Sequence, residues 1–184
     1  YNPKWGMGDI IIKDRTGEGV INDEDRTVIG NSIPRFTFGL NLGFEYKGFD
    51  FSCFFQGVGK ADGYVTMEAI QPMGINGARK EHYKESFNPQ DPKPGAYFPR
   101  ILSSDYNYAY MSHWVQDASY IRLKNLQIGY SFKIKGLNQL RVYASGENLF
   151  TATKYRTWDP ETPVGARGFY PNVAVYSMGV NLNF

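Results

Sequence analysis

The chain has 184 residues, and its 20 Lys and Arg against 18 Asp and Glu give a formal net charge of +2. This balance excludes the strongly basic surface that nucleic-acid binding requires. The single cysteine, Cys53, excludes a disulfide framework and a multi-cysteine zinc site, and the presence of only two histidines, His82 and His113, argues against a His-rich metal centre. Aromatic residues are abundant, at 16% of the chain, and no apolar run is long enough for a transmembrane helix. Because the sequence opens with Tyr1 and has no signal peptide, we expect a mature product or a piece of one.

Residues 36–46 predict the first β-strand. Every second position is apolar, and Thr, Gly, Asn and Glu fill the alternate positions. This alternation gives a strand one apolar and one polar face, and it fits no helix. Lys47 and Gly48 follow where a two-residue hairpin turn is expected, with Gly48 free to adopt a positive φ. The apolar side chains are Phe36, Phe38, Leu40, Leu42, Phe44 and Tyr46.

The same alternation recurs along the chain, so the sequence predicts an all-β fold with about five antiparallel strands. Short links at 47–48 and 133–138 alternate with long links at 59–118 and 151–172. A large transmembrane β-barrel has this alternation, with short periplasmic turns and long extracellular loops, whereas a β-sandwich usually has short turns at both ends. The strands are predicted near residues 36–46, 49–58, 119–132, 139–150 and 173–184.

The composition of the two faces also favours a barrel. The apolar faces carry no charge at strand centres, as contact with lipid requires, and Cys53 lies among them as a small apolar side chain. The polar faces carry Gly, Asn, Ser, Thr and Gln with scattered charge, which suits a hydrated lumen. These side chains equally suit hydrogen-bond networks between strands. The candidates for lining the lumen are Asn41, Glu45, Arg141, Tyr143, Glu147 and Asn181.

The end of the sequence resembles a known signal. The last eight residues, SMGVNLNF, end in Phe184, with Leu182 two positions and Gly179 five positions before it. This ending is similar to the terminal signal by which bacterial outer-membrane proteins are recognised for barrel insertion. Four blocks, which cover nearly the whole chain in the correct order, resemble the C-terminal stretch of SusC/RagA-type TonB-dependent transporters of the Bacteroidetes. These blocks are 28–59, 117–132, 140–161 and 176–184.

The resemblance implies a barrel of about 22 strands with a plugged lumen, in the bacterial outer membrane. It implies energy supply through the TonB complex, a SusD-like surface lipoprotein as a lid, and oligosaccharides or peptides as cargo. Residues 1–35 are then an extracellular loop, and residues 36–184 are the C-terminal part of the barrel. Because five strands cannot close a barrel, we expect the plug and earlier strands of the same transporter to complete the structure within outer-membrane lipid.

Residues 14–25, DRTGEGVINDED, predict a calcium-binding loop of the EF-hand type. Oxygen-bearing residues recur at alternate positions around a glycine-rich turn, and oxygen ligands are what Ca²⁺ prefers. Thr16 replaces the usual carboxylate or asparagine, and Asp25 is shorter than the usual terminal glutamate. The alternative is an acidic turn before a strand, with no ion. The candidate ligands are Asp14, Thr16, Glu18, Val20 and Asp25.

Aromatic residues also cluster in the two long loops. At a transporter mouth, such rings stack on sugars, pack a loop against a lid protein or cover the barrel rim, and the sequence leaves these roles open. These rim aromatics are Tyr106, Tyr108, Tyr110, Trp114 and Trp158.

Catalysis is not predicted, and no catalytic residue is assigned. His82 and His113 lie in no nucleophile motif, and Asp159 and Glu161 fit turn chemistry better than an acid/base pair. The alternative to a transporter is a secreted, soluble β-sandwich that binds glycans with a structural calcium.

Overall fold

The computed structural model describes residues 5–65, 67–73, 77–92, 94–102, 106–156, 158–162, 170 and 172–184. The chain forms two compact units. We call the described residues within 5–31 and 64–116 the loop unit, and those within 32–63, 117–162 and 170–184 the sheet unit. No helix in the described residues is long and apolar enough to cross a membrane.

Strands dominate the described chain, as the alternation predicts. They are β1 (Phe36–Tyr46), β2 (Phe49–Gly59), β3 (Asp62–Tyr64), β4 (Val115–Asp117), β5 (Tyr120–Phe132), β6 (Gln139–Thr153) and β7 (Val175–Asn183). The helices α1 (Met67–Ile70) and α2 (Lys80–Glu85) are short. Five strands form one antiparallel sheet in the order β1-β2-β5-β6-β7, while β3 pairs with β4. The predicted all-β fold with about five antiparallel strands is therefore confirmed.

The hairpin between β1 and β2 has the predicted turn. Lys47 and Gly48 both have positive φ, at 50° and 89°, which is the geometry of a type I′ turn. Gly48 has a second requirement, because a Cβ atom there would lie 2.7 Å from the carbonyl oxygen of Ser131. The turn therefore sets the register of the hairpin. The two strands pair without interruption, from Tyr46 opposite Phe49 to Phe36 opposite Gly59.

The register places the predicted apolar side chains on one face of the five-stranded sheet. One row across all five strands consists of Tyr46, Phe49, Tyr130, Val142 and Val180. The next row consists of Phe44, Phe51, Ile128, Ala144 and Met178. Since directly opposed residues share a face, the apolar face is continuous from β1 to β7.

This apolar face is exposed in the chain itself. Leu42, at the centre of β1, is 48% exposed, and the side chains along β7 are also mostly exposed. A β-sandwich would bury these side chains between two sheets. A contiguous exposed apolar surface of this kind instead marks contact with another apolar phase. The fold therefore contradicts the alternative of a soluble β-sandwich.

A bulge interrupts the sheet and preserves its two faces. The pairings of β5 with β2 and with β6 both skip Lys124, and β6 also skips Asn148 and Leu149. Asn148 adopts a positive φ of 52° at this point. Because Lys124 is skipped, Leu123 lies opposite Phe55 on the apolar face. Without the bulge, Lys124 would occupy that position.

The loop unit has a small core of aromatic and polar side chains. Trp114 is fully buried, and its indole Nε1 donates to the carbonyl oxygen of Asn107 at 2.9 Å. Tyr108 and Trp114 stack with ring centroids 6.3 Å apart. His82 is fully buried as well, and its Nε2 lies 2.9 Å from the carbonyl oxygen of Ala69. Directional contacts of this kind give a short, helix-poor segment a defined fold.

Candidate functional site

The predicted lumen-lining residues share the polar face of the sheet. The strand register puts Glu45 in a row with Asp50, Gly129, Tyr143 and Gly179. Further along the strands, Asn41 and Glu147 occupy one row and Arg141 and Asn181 another. The sheet therefore brings the six candidates to one surface, which we call the polar face.

An ion pair crosses three strands on the polar face. The Arg141 guanidinium donates from both Nε and Nη2 to the Asp50 carboxylate, with Nε 2.9 Å from Oδ2. Gly129 of β5 lies beneath the pair, and a Cβ atom there would overlap the Asp50 carboxylate. In the amide orientation that satisfies both of its groups, Gln127 accepts from Arg141 at 3.2 Å. Only a residue without a side chain lets β2 and β6 connect directly over β5.

Tyr143 extends this network to β7. Its ring centroid lies 4.8 Å from the central carbon of the Arg141 guanidinium, which is cation–π geometry. The same ring covers Gly179, where a Cβ atom would overlap it. Gly179 therefore has a packing role, in addition to its predicted part in the insertion signal with Leu182 and Phe184. That signal itself remains a prediction.

A second ionic cluster, centred on Arg122, was not predicted from the sequence. The Arg122 side chain is 3% exposed, and its Nη2 lies 2.8 Å and 2.7 Å from the two carboxylate oxygens of Asp159. Its Nε donates to the Thr151 hydroxyl at 2.7 Å, and its Nη1 lies 3.0 Å from Glu161. We call Arg122, Lys124, Asp159 and Glu161 the strap cluster, because residues 158–162 lie across β5 through these contacts.

Neighbouring side chains complete the strap cluster. Lys124 donates to Glu161 at 2.9 Å, and the Tyr120 hydroxyl donates to the other oxygen of Glu161 at 3.1 Å. Asp159 also accepts from the backbone N–H of Glu161 at 2.9 Å, which agrees with the predicted turn chemistry of this pair. The sequence has no clear signal for Arg122, because this residue is in phase with the apolar Leu126 and Ile128 and only the bulge at Lys124 places it on the polar face.

The loop unit contains a third charged group, at Asp9. Its carboxylate accepts from Arg100 Nε at 2.7 Å and from Asn107 Nδ2 at 2.9 Å. Burial raises the pKa of Asp9, but the hydrogen bonds from Arg100, Asn107 and Gly6 outweigh it, so that the pKa lies below its usual range. These contacts join residues more than 90 positions apart, and Asp9 thus secures the start of the described chain to the unit.

The rim aromatics separate into buried and exposed residues. Tyr108 and Trp114 are fully buried, so these two rings are not available to a ligand in this structure. Tyr106 donates its hydroxyl to the carbonyl oxygen of Ile10 at 2.9 Å, and Trp158 is half-buried. Tyr110 is 86% exposed and stacks on Tyr64, with ring centroids 4.9 Å apart. Burial, together with the neighbouring Tyr110, raises the pKa of Tyr64 to about 12.

The predicted calcium ligands form a hydrogen-bonded loop. Asp14 accepts from the backbone N–H groups of Gly17 and Gly19, at 2.6 Å and 2.7 Å. Asp25 accepts from those of Arg15 and Asn22, at 2.6 Å and 3.0 Å. The Thr16 hydroxyl lies between the two carboxylates, 3.2 Å from Asp14 and 3.4 Å from Asp25.

The remaining ligand candidates do not join these two carboxylates. Glu18 accepts a short hydrogen bond from the Asn22 amide, and the Val20 side chain is exposed. The described residues contain no group of three or more His, Cys, Asp or Glu side chains arranged to hold a metal ion. Backbone donors already satisfy the Asp14 and Asp25 carboxylates, so the loop closes through its own hydrogen bonds. Calcium binding therefore remains a prediction.

The lowered pKa values of two carboxylates predict that the stability of this loop depends on pH. Backbone hydrogen bonds lower the pKa of both Asp14 and Asp25 below the usual range. A lowered pKa means that each carboxylate stabilises the loop above the unfolded-state pKa, and that this contribution is lost as the pH falls through the folded-state value, below about pH 4. We expect amide exchange within residues 14–25 to accelerate below that pH, after correction for intrinsic rates.

Hydrogen–deuterium exchange on the intact protein measures this effect. Asp23 provides the control, because its carboxylate is largely exposed and its ion-pair partner, Arg26, is equally exposed. Asp25→Asn is expected to accelerate exchange at neutral pH, whereas Asp23→Asn leaves it unchanged. Equal effects of the two substitutions would contradict the assigned role of Asp25.

Comparison with known proteins extends these observations. No family model matches the chain. The TonB-dependent receptor P3 of Formosa agariphila is 34% identical over 96% of the chain, and the TonB-dependent receptor SusC of Bacteroides thetaiotaomicron is 27% identical over 93%. The chain spans 19% and 17% of the lengths of these relatives. The solved structure of the RagAB peptide transporter superposes on 90% of the chain, at 24% identity and a TM-score of 0.71, and shares its fold.

These findings define the class of protein first and then its family. A single antiparallel sheet with an exposed apolar face and a charged polar face is part of the wall of an outer-membrane β-barrel. The chain belongs to the TonB-dependent receptors, a family that includes SusC. The prediction that it is not an enzyme is confirmed by these relatives.

Proposed function

We propose that the complete protein imports nutrients across the outer membrane in the manner of a SusC-like transporter. The observation that carries this proposal is the division of the sheet into a continuous apolar face and a polar face with ion pairs. Lipid contact on one side and a hydrated lumen on the other require that division. Similarity to TonB-dependent receptors supports the same role.

The cargo proposed is an oligosaccharide or a peptide. Peptide transport is stated for RagAB, whose fold the chain shares, and the sequence relatives include SusC. The proposed partners are a SusD-like lipoprotein as a lid, the TonB complex as the energy source, and the rest of the same transporter as plug and remaining wall. The segment described here contributes wall, turns and loops, with the polar face along the path of the cargo.

Growth assays on defined cargo test this proposal. A strain that lacks the full-length gene is expected to lose growth on its peptide or oligosaccharide source, and the intact gene is expected to restore growth only when TonB is functional. The double variant Asn41→Ala and Asn181→Ala, which changes the polar face, is expected to reduce uptake several-fold at unchanged membrane levels. Growth on every cargo without the transporter would contradict the proposal.

A matched variant separates lumen contact from general damage. Leu40→Ala and Leu182→Ala truncate two side chains on the apolar face of the same two strands, β1 and β7. These changes are expected to leave the uptake rate per assembled transporter unaltered. Equal losses of uptake in the two double variants would show that the polar face has no special part in transport.

We also propose that Ca²⁺ orders the loop at residues 14–25, with Asp14 and Asp25 as its principal carboxylates. Support comes from the Thr16 hydroxyl and two carboxylates within one short loop. The exchange measurement described above, repeated in calcium and in chelator, tests the proposal. Slower exchange in calcium that disappears in Asp14→Ala is the expected result, and identical exchange in both buffers would overturn it.

A further inference from the structure

Two short turns of the sheet meet at one end of the barrel wall. The turn between β1 and β2 contains Lys47 and Gly48, and the turn between β5 and β6 contains Lys133 and Lys135. The backbone N–H of Ser131, near the end of β5, donates to the carbonyl oxygen of Gly48 at 2.7 Å, which joins the first turn to the strand that leads into the second. The structure therefore brings three lysines, separated by up to 88 positions in the sequence (135 minus 47), to the edge of neighbouring strands.

The three ammonium groups have no acidic partner here. In the part of the chain that the structure describes, none of them takes part in an ion pair. Of the acidic groups near this end, Asp50 is bound to Arg141, and Glu45 lies on the polar face. Lys133 and Lys135 are exposed, and the two turns therefore form an exposed basic patch.

Aromatic and apolar side chains flank this patch on the lipid side. Tyr46, Phe49 and Tyr130 form the last full row of the apolar face before the turns. The Lys47 ammonium lies 5.1 Å from the centroid of the Tyr46 ring, so that this lysine lies toward the apolar face. Ile134, between the other two lysines, is 42% exposed. A basic turn bordered by an aromatic row is the arrangement expected where hydrocarbon gives way to lipid headgroups.

We propose that Lys47, Lys133 and Lys135 form a binding site for the phosphate of an anionic phospholipid, such as phosphatidylglycerol, in the leaflet that surrounds the short turns. This inference rests on the proposed outer-membrane function. The phosphate oxygens accept hydrogen bonds from the three ammonium groups, while the acyl chains of the lipid lie along the aromatic row and Ile134. Charge–charge attraction at a membrane surface depends on ionic strength, so lipid binding weakens as salt is added.

Native mass spectrometry of the full-length transporter tests the site. Protein purified in a mild detergent is mixed with phosphatidylglycerol or, separately, with phosphatidylethanolamine, and the bound lipids are counted. The variant Lys47→Gln, Lys133→Gln, Lys135→Gln is expected to bind phosphatidylglycerol about tenfold or more weakly, as neutralising three lysines at an anionic surface implies. Its binding of phosphatidylethanolamine is expected to change little.

A matched variant removes the same charge elsewhere. Lys13, Lys80 and Lys84 are exposed in the loop unit, and changing all three to glutamine is expected to leave phosphatidylglycerol binding intact. Equal phosphatidylglycerol binding by the turn variant and the wild type would overturn the proposal, as would an equal loss of phosphatidylglycerol and phosphatidylethanolamine binding in the turn variant. Uptake by the turn variant is measured in parallel, so that failure of this site is distinguished from failure of the transport function.

Discussion

Replacing Arg122 with alanine is expected to destabilise the assembled transporter by about 3–5 kcal/mol, the usual cost of removing one partner from a buried ion pair. The substitution leaves the Asp159 carboxylate, 13% exposed, without its cation, while Glu161 keeps only its contact with Lys124 among the cations of the strap cluster. It also removes the donor to the Thr151 hydroxyl. The measurement is the thermal unfolding of the full-length protein in detergent, followed by the loss of the compact barrel band on gels.

Two further variants make this prediction specific. Arg26→Ala removes a cation from an ion pair that is more than 80% exposed on both sides, so little change in stability is expected. Combining Arg122→Met with Asp159→Leu and Glu161→Leu removes every charge of the strap cluster except that of Lys124, whose side chain is 22% exposed, and is expected to restore much of the lost stability. If the triple variant unfolds as early as Arg122→Ala, the loss reflects packing and not unpaired charge.

The substitution Leu42→Arg is expected to impair insertion of the full transporter by about 2–4 kcal/mol, because it places a charge on the apolar face near the middle of a spanning strand. Leu42 lies opposite Cys53, far from either end of β1. The measurement is the amount of folded barrel in outer membranes relative to total expressed protein. A several-fold decrease is expected.

The adjacent residue supplies the control. Asn41 lies on the polar face of the same strand, opposite Phe54, so Asn41→Arg adds the same side chain to the hydrated side. Its insertion is expected to match the wild type. Normal assembly of Leu42→Arg would show that the apolar face does not meet lipid.

The two ionic networks have different places in the proposed transporter. The Asp50–Arg141 pair is partly exposed on both sides and joins strands directly, so it lies where cargo or a plug segment can reach it. The strap cluster is more deeply buried and holds residues 158–162 against β5. The first is therefore suited to lining the path, and the second to fixing the shape of the segment that follows β6.

The sequence by itself determined the strands and their faces. Strict alternation in 36–46 is a local property, because successive side chains of any strand point to opposite sides. That property was sufficient to predict β1, its hairpin partner and the phase of every lumen candidate, all of which share the polar face. The apolar composition of the other face was likewise sufficient to favour lipid over water.

Contacts between distant residues required the tertiary structure. Asp50 and Arg141 are 91 positions apart, and Arg122 and Asp159 are 37 apart, so no local spacing relates them. The bulge at Lys124 and the glycine at position 129 decide which side chains meet, and both depend on strand register. The burial of Trp114 and Tyr108 was equally hidden, since an aromatic residue in a loop has the same local pattern whether it packs inward or faces a ligand. Only long-range pairing distinguishes these cases, because it sets the neighbours of each side chain.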